Sequence, residues 1–177
     1  MRPVFYIKKM KRVIKLPDRL KALADYIDKR SVVADIGTDH GYLPVYLAQT
    51  GLARRIVASD ISAGSLESAR RSAARYKVAE AIEFIVAPGL SGITQSDVDT
   101  IVIAGLGGET IVDILKDASW TKTQNIKLVM QPQSKIDVLC RFLYDSGYAI
   151  KDTKTVLDRK RQYTVIHATY YERRVIS

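Results

Sequence analysis

A few short stretches of this 177-residue chain hold residue types that could do chemistry. In Asp35-Ile-Gly-Thr-Asp-His-Gly41 two aspartates stand four residues apart, and Asp60 follows nineteen residues after Gly41. The glycine-rich Gly105-Leu-Gly-Gly108 and the tripeptide Gln131-Pro-Gln133 come later. A turn that cradles a pyrophosphate relies on glycines and backbone N–H groups at a helix start. Asp35 and Asp39 would repel a pyrophosphate there, so the turn suits a cationic ligand with a free amino group. Gly37 and Gly41 let the main chain pass close to such a ligand. At its spacing, Asp60 can accept both hydroxyls of a ribose. A ribonucleoside joined to a positively charged amino acid meets these demands, and S-adenosylmethionine, with its sulfonium, is a cofactor of that kind.

Each of these residues also has a purely structural reading. Asp35 can end a strand, and Asp39 can cap a helix that begins near Tyr42. His40 can orient the loop or touch a substrate. Gly105 to Gly108 can form a tight strand-to-helix turn, although three glycines in four residues suit close approach to a ligand. Cys140 lies in an amphipathic stretch and reads as core. His167 alternates within a strand and carries no predicted chemistry, and Trp120 reads as a packing anchor.

The elements that must position these residues follow from hydrophobic period. Leu20, Leu23, Ala24 and Ile27 share one face, which predicts a helix over 18–28 behind Pro17. Compact apolar runs predict buried strands over 31–36, 54–60, 82–87, 100–104 and 126–131. Helices are predicted over 42–49, where Pro44 fits only the first turn, and over 63–76, 109–117 and 136–144. Two β-type runs, 149–157 and 162–171, then flank the turn Asp158-Arg-Lys-Arg161.

Alternating strands and helices imply an α/β fold, a doubly wound and mostly parallel sheet. The closing strands, with no helix between them, imply an antiparallel hairpin at one edge. Seven strands in this order give the Rossmann-like plan of class I methyltransferases. In such a sheet the ligand lies beyond the carboxyl ends of the strands, where the order reverses. The acidic turn, Asp60, Gly105–Gly108 and Gln131–Gln133 all fall at those ends.

Composition sets the limits. With 47% hydrophobic and 27% charged residues the chain reads as one globular domain (17–177) behind a basic leader (1–16). A single cysteine excludes an internal disulfide. No apolar run approaches the roughly 18 residues of a membrane helix, and no signal peptide is visible, so a cytoplasmic protein is expected. The net charge of +9 is uneven: residues 1–30 carry +7, residues 151–177 carry +4, and the 120 residues between carry −2. A near-neutral body with basic ends suggests contact with a polyanion outside the core. A solvated lysine-rich surface without a partner is the alternative.

Asp35-Ile-Gly-Thr-Asp-His-Gly-Tyr-Leu-Pro44, Ile103-Ala-Gly-Leu-Gly-Gly108 and Gln131-Pro-Gln133 together resemble the bacterial tRNA (adenine-22-N1)-methyltransferases, the TrmK family. The resemblance runs from about Leu16 to Tyr171. It implies S-adenosylmethionine as methyl donor, tRNA as acceptor and no metal. By position it implies that Asp35, Gly37, Asp39 and Gly41 line the methionine side of the donor. Asp60 and Ile61 would hold its nucleoside, and Gly105, Leu106 and Gly107 would lie against donor and incoming base. Asp39 is the candidate catalytic residue, holding the adenine amine or stabilising the methylated ring. His40, Gly108, Gln131 and Pro132 would face the substrate. Lys8, Lys9, Lys11 and Arg12 in the leader, with Arg159, Lys160 and Arg161 in the hairpin turn, would contact phosphates.

Three departures from the family pattern stand out. Ala87-Pro-Gly89 replaces an acidic residue, so Pro88 cannot hold the donor's adenine amine by a side chain. Gln131-Pro-Gln133 replaces Gln-Pro-Asn. The helical extension expected after the hairpin is not found before Ser177. Transfer to a small molecule or protein side chain, or a non-catalytic RNA-binding module of the same fold, fits the same residues.

Overall fold

A computed structural model describes residues 13–171 of the chain. Its seven strands are β1 (Ser31–Ile36), β2 (Ala53–Asp60), β3 (Ile82–Val86), β4 (Thr100–Leu106), β5 (Lys127–Pro132), β6 (Tyr148–Asp158) and β7 (Arg161–Tyr170). They form one sheet in the order β3-β2-β1-β4-β5-β7-β6. The first five strands are parallel, and β7 runs antiparallel between β5 and β6. The expected doubly wound sheet with a terminal hairpin is therefore present, and its order reverses between β1 and β4.

Helices cover both faces, so β1 is buried along its whole length. On one face lie α1 (Asp18–Ala24), α2 (Tyr42–Thr50) and α3 (Ala63–Arg75); Leu23, Val45 and Leu47 pack there against Val33, Val102 and Val129. On the other lie α4 (Gly108–Asp117) and α5 (Ile136–Asp145), whose Ile111, Leu115, Leu139 and Leu143 cover Ile101, Ile103 and Leu128. Pro44 sits in the first turn of α2, where its missing N–H has no partner to lose. Ser62 caps α3 by accepting the Ser65 N–H at 3.2 Å.

The structure moves several element ends. The first helix stops at Ala24, four residues short of the period, and the N–H groups of Tyr26 and Ile27 reach back only three residues. Ile27 stays buried, which is why the apolar spacing continues past the helix. β4 runs on to Leu106, and α4 begins at Gly108. In the hairpin Asp158 pairs directly with Arg161, leaving Arg159-Lys160 as a two-residue turn with both residues at positive φ, 47° and 66°.

The register of that hairpin has a geometric consequence. Ile166 pairs with Met130, two residues before β5 ends at Pro132, whereas β7 starts at Arg161. The tip therefore clears the carboxyl end of β5 by about three residues, roughly 10 Å. The expected phosphate-binding residues Arg159, Lys160 and Arg161 are exposed there. Lys8, Lys9, Lys11 and Arg12 lie outside the described residues. Of the basic leader, Ile14 and Leu16 are buried against α2, and the Ile14 N–H donates to Gln49 Oε1 at 2.8 Å. Among the described residues no helix is long and apolar enough to cross a membrane.

Candidate active site

A cavity of about 290 Å³ opens at the carboxyl ends of β1, β2 and β4, at the point where the strand order reverses. Asp35, Gly37, Thr38, Asp39 and His40 form one wall, Asp60 closes the next, and Gly105 and Leu106 form a third. Gly37 and Gly105 both sit at positive φ, 74° and 77°, in the left-handed region that disfavours side chains. Among the described residues no group of three or more acidic, histidine or cysteine side chains could hold a metal ion.

The carboxylates differ in environment. Asp35 is 5% exposed, and burial pushes its pKa up to about 6; the Thr38 hydroxyl works the other way and the Asp60 charge adds to the rise. Asp60 accepts the Ser62 N–H at 2.8 Å and the Asp39 N–H at 3.3 Å, so it holds the acidic loop to the end of β2. The N–H groups of Gly37 and Thr38 donate to the Ser59 carbonyl at 2.8 and 3.2 Å and fix the loop's base.

Asp39 itself is exposed at φ 50° and caps nothing, because the N-cap of α2 is Gly41 and no side chain bonds there. Its carboxylate lies 3.6 Å from His40 Nε2, while His40 Nδ1 meets Ser68 Oγ at 2.9 Å. The His40 ring stacks with Tyr42 at 5.5 Å and 25°, and both residues are exposed at the mouth. A flat pair of rings beside a carboxylate is a surface on which a planar base can lie.

Several expected site residues have other duties. Gly41 is buried, and a Cβ there would stand 2.8 Å from Ala69 Cβ, so this glycine lets α3 pack close. Gly108 is buried beneath the Lys135 carbonyl, which a Cβ would strike, and Gly107 precedes α4 outside the cavity. Gln131 is fully buried, and its Nε2 donates to the Arg19 carbonyl at 3.0 Å; Pro132 is buried beside it. None of these five lines the cavity. Ile61 is 74% exposed just beyond Asp60, on the rim.

The cavity also brings in Arg19, Thr38, Tyr42 and Gln133, which the sequence reading did not assign to the site. Tyr42 directly follows the acidic turn and Gln133 closes the third motif, so both had a positional signal. Arg19 had none, since it comes from a helix that precedes every motif.

The Methyltransferase domain family matches residues 16–166. The tRNA (adenine(22)-N(1))-methyltransferase of Bacillus subtilis is 33% identical over 155 residues, 88% of this chain and 65% of that protein. The crystal structure of the B. subtilis M1A22 tRNA methyltransferase TrmK superposes with a TM-score of 0.83 at 32% identity, covering 89% of this chain and 67% of that one. The structure of M. capricolum TrmK with S-adenosyl-homocysteine gives a TM-score of 0.76 at 29% identity, covering 87% and 68%. Sheet order, cavity and family match define a class I methyltransferase domain. Within that class the chain belongs to the TrmK family. It spans about two thirds of the length of these relatives.

Proposed function

We propose that this chain transfers a methyl group from S-adenosylmethionine to N1 of adenine 22 in tRNA. The observation that carries the reading is the pairing of an acidic cavity with a basic hairpin at one end of the sheet: Asp35 and Asp60 meet the donor, Asp39 meets the incoming base, and Arg159, Lys160 and Arg161 meet the RNA. The relatives named for tRNA and solved with the donor's product support it.

The residues fit the donor. Buried Asp35 offers an acceptor to an ammonium group, and a positive charge beside it relieves the penalty of holding a carboxylate there. Asp60, with a free lone pair on each oxygen, accepts ribose hydroxyls. Ile61 and Val86 stand exposed at neighbouring strand ends, where Asp60 pairs with Val86, and supply an apolar wall for the adenine in place of a hydrogen bond at Pro88. When bound, S-adenosylmethionine supplies an electrophilic methyl group.

Adenine N1 is unprotonated at neutral pH and needs no general base. The task left to the protein is positioning, and a negative group near the base as it becomes cationic. Tyr42 and His40 receive the base face, and Asp39 accepts its exocyclic amine and faces the growing charge. N1 lies on the Watson–Crick edge, so the nucleotide must be unpaired or extruded. Such an enzyme meets its tRNA in the cytoplasm.

Mass mapping of tRNA nucleosides after incubation with protein and donor tests the reading. N1-methyladenine at position 22 is expected. Transfer only to a protein or small molecule, or donor binding with no transfer to any RNA, would overturn it.

A further inference from the structure

Arg19 connects the cavity to the hairpin. It lies in the first turn of α1 on the cavity wall, and its Nε stands 3.8 Å from Asp158 Oδ2 near the hairpin tip. Its guanidinium carbon lies over the Tyr163 ring, 5.8 Å from the centroid. The Arg161 guanidinium lies 5.9 Å from the same centroid. The two guanidinium carbons are therefore at most about 12 Å apart, and one ring anchors both.

A guanidinium resting on an aromatic face keeps its N–H donors in its own plane, free to meet a phosphate in a forked pair. Seating on Tyr163 thus fixes the two arginines without using up their donors. The backbone that carries Arg19 is fixed as well, because the buried Gln131 amide holds the Arg19 carbonyl at 3.0 Å. Asp158, whose side chain is 13% exposed, is the group that a phosphate would displace from Arg19.

We infer that Arg19 and Arg161, seated on Tyr163, bind neighbouring backbone phosphates of the RNA strand whose extruded nucleotide enters the cavity. The inference rests on the RNA-methylating reading above and adds the path by which the strand reaches the site. Gln131 acts in it as a positioning residue, through the backbone of Arg19.

Binding of a tRNA transcript, without donor and over a range of salt, tests it on Arg19→Gln, Arg161→Gln and Asp158→Asn. Asp145→Asn, an exposed residue at the far end of α5, controls for net charge. Each arginine variant is expected to bind about tenfold more weakly, with the slope of log K against log salt shallower by about 1. Asp158→Asn is expected to move the opposite way and to tighten binding more than Asp145→Asn does. If Arg19 only braces the hairpin through Asp158, then Arg19→Gln and Asp158→Asn weaken binding alike with an unchanged slope, and the inference falls. It also falls if Arg19→Gln, with an unaltered thermal midpoint, loses donor affinity and keeps RNA affinity. Failure of the wild-type chain to methylate RNA would instead sink the underlying reading.

Discussion

The backbone N–H of Asp39 donates to the Asp60 carboxylate at 3.3 Å, so one aspartate at the end of β2 holds the loop that carries another. Asp60→Ala removes this anchor together with the ribose acceptor. Donor affinity is expected to fall at least about 100-fold, and the amides of Asp39 and His40 to exchange faster with solvent. Asp60→Asn keeps one carbonyl oxygen and should lose on the order of tenfold, as charged acceptors bind about twice as strongly as neutral ones. Calorimetry and amide exchange on the two variants check the pair of effects.

Asp35 predicts a pH dependence of opposite sign for stability and for binding. Its pKa in the folded chain, about 6, lies above the ordinary 3.8, so the folded state holds the extra proton between those values. That contribution to stability is present in full below about pH 4 and is lost as the pH rises through 6. Above pH 6 the ionised, buried carboxylate weighs against folding by about 3 kcal/mol at most. Asp35→Asn should therefore raise the melting temperature of the ligand-free chain at pH 7.5 and abolish donor binding. In the wild type, donor binding at pH 6 should release a proton, seen as a binding enthalpy that varies with the buffer.

Asp39 is exposed and, among the described residues, bonds through its backbone and its neighbour His40, so its removal should spare the fold. Asp39→Ala is expected to lower kcat at least about 100-fold while donor affinity changes no more than a few fold. Wild-type turnover in this variant would remove the residue from the mechanism.

Gly108 tests the difference between a glycine for packing and a glycine for a ligand. A Cβ there meets the Lys135 carbonyl oxygen, and backbone atoms on both sides hold the clash in place. Gly108→Ala should destabilise the chain by about 3 kcal/mol, a melting temperature lower by roughly 6–12 °C. Donor affinity of the folded fraction should stay within about threefold of wild type.

The hairpin turn places Arg159 and Lys160 at positive φ, where asparagine and glycine are the favoured residues. Replacing Arg159 by Asn and Lys160 by Gly together should stabilise the chain by about 1 kcal/mol and weaken tRNA binding at least fivefold. Denaturant unfolding and filter binding on the one variant measure both. A variant that gains stability and keeps its affinity would remove the turn from the RNA surface.

The parallel strands could be read from the chain because each is a short apolar run closed by glycine, aspartate or proline, and α4 and α5 keep a clear helical period. Element ends were less readable where burial outlasts the helix, as at Ile27. The acidic loop declared itself because carboxylates beside glycines, just after a buried strand, have few uses. The roles of Gly41, Gly108 and Gln131 did not, since they depend on Ala69, Lys135 and Arg19, which the fold alone brings near. Gln131 and Arg19 are 112 residues apart in the chain. No local pattern carries such a pairing.

Cavity and hairpin tip crowd one pole of the sheet. The parallel strands start at the other pole, where Asp28, Gln124 and Asn125 border a shallow cleft; the six residues of β1 put about 20 Å between the two. A biotin or dye attached at Gln124 or Asn125 would sit out of reach of both ligands. A chain mounted by that pole on a sensor would turn its working side outward, toward whatever flows past.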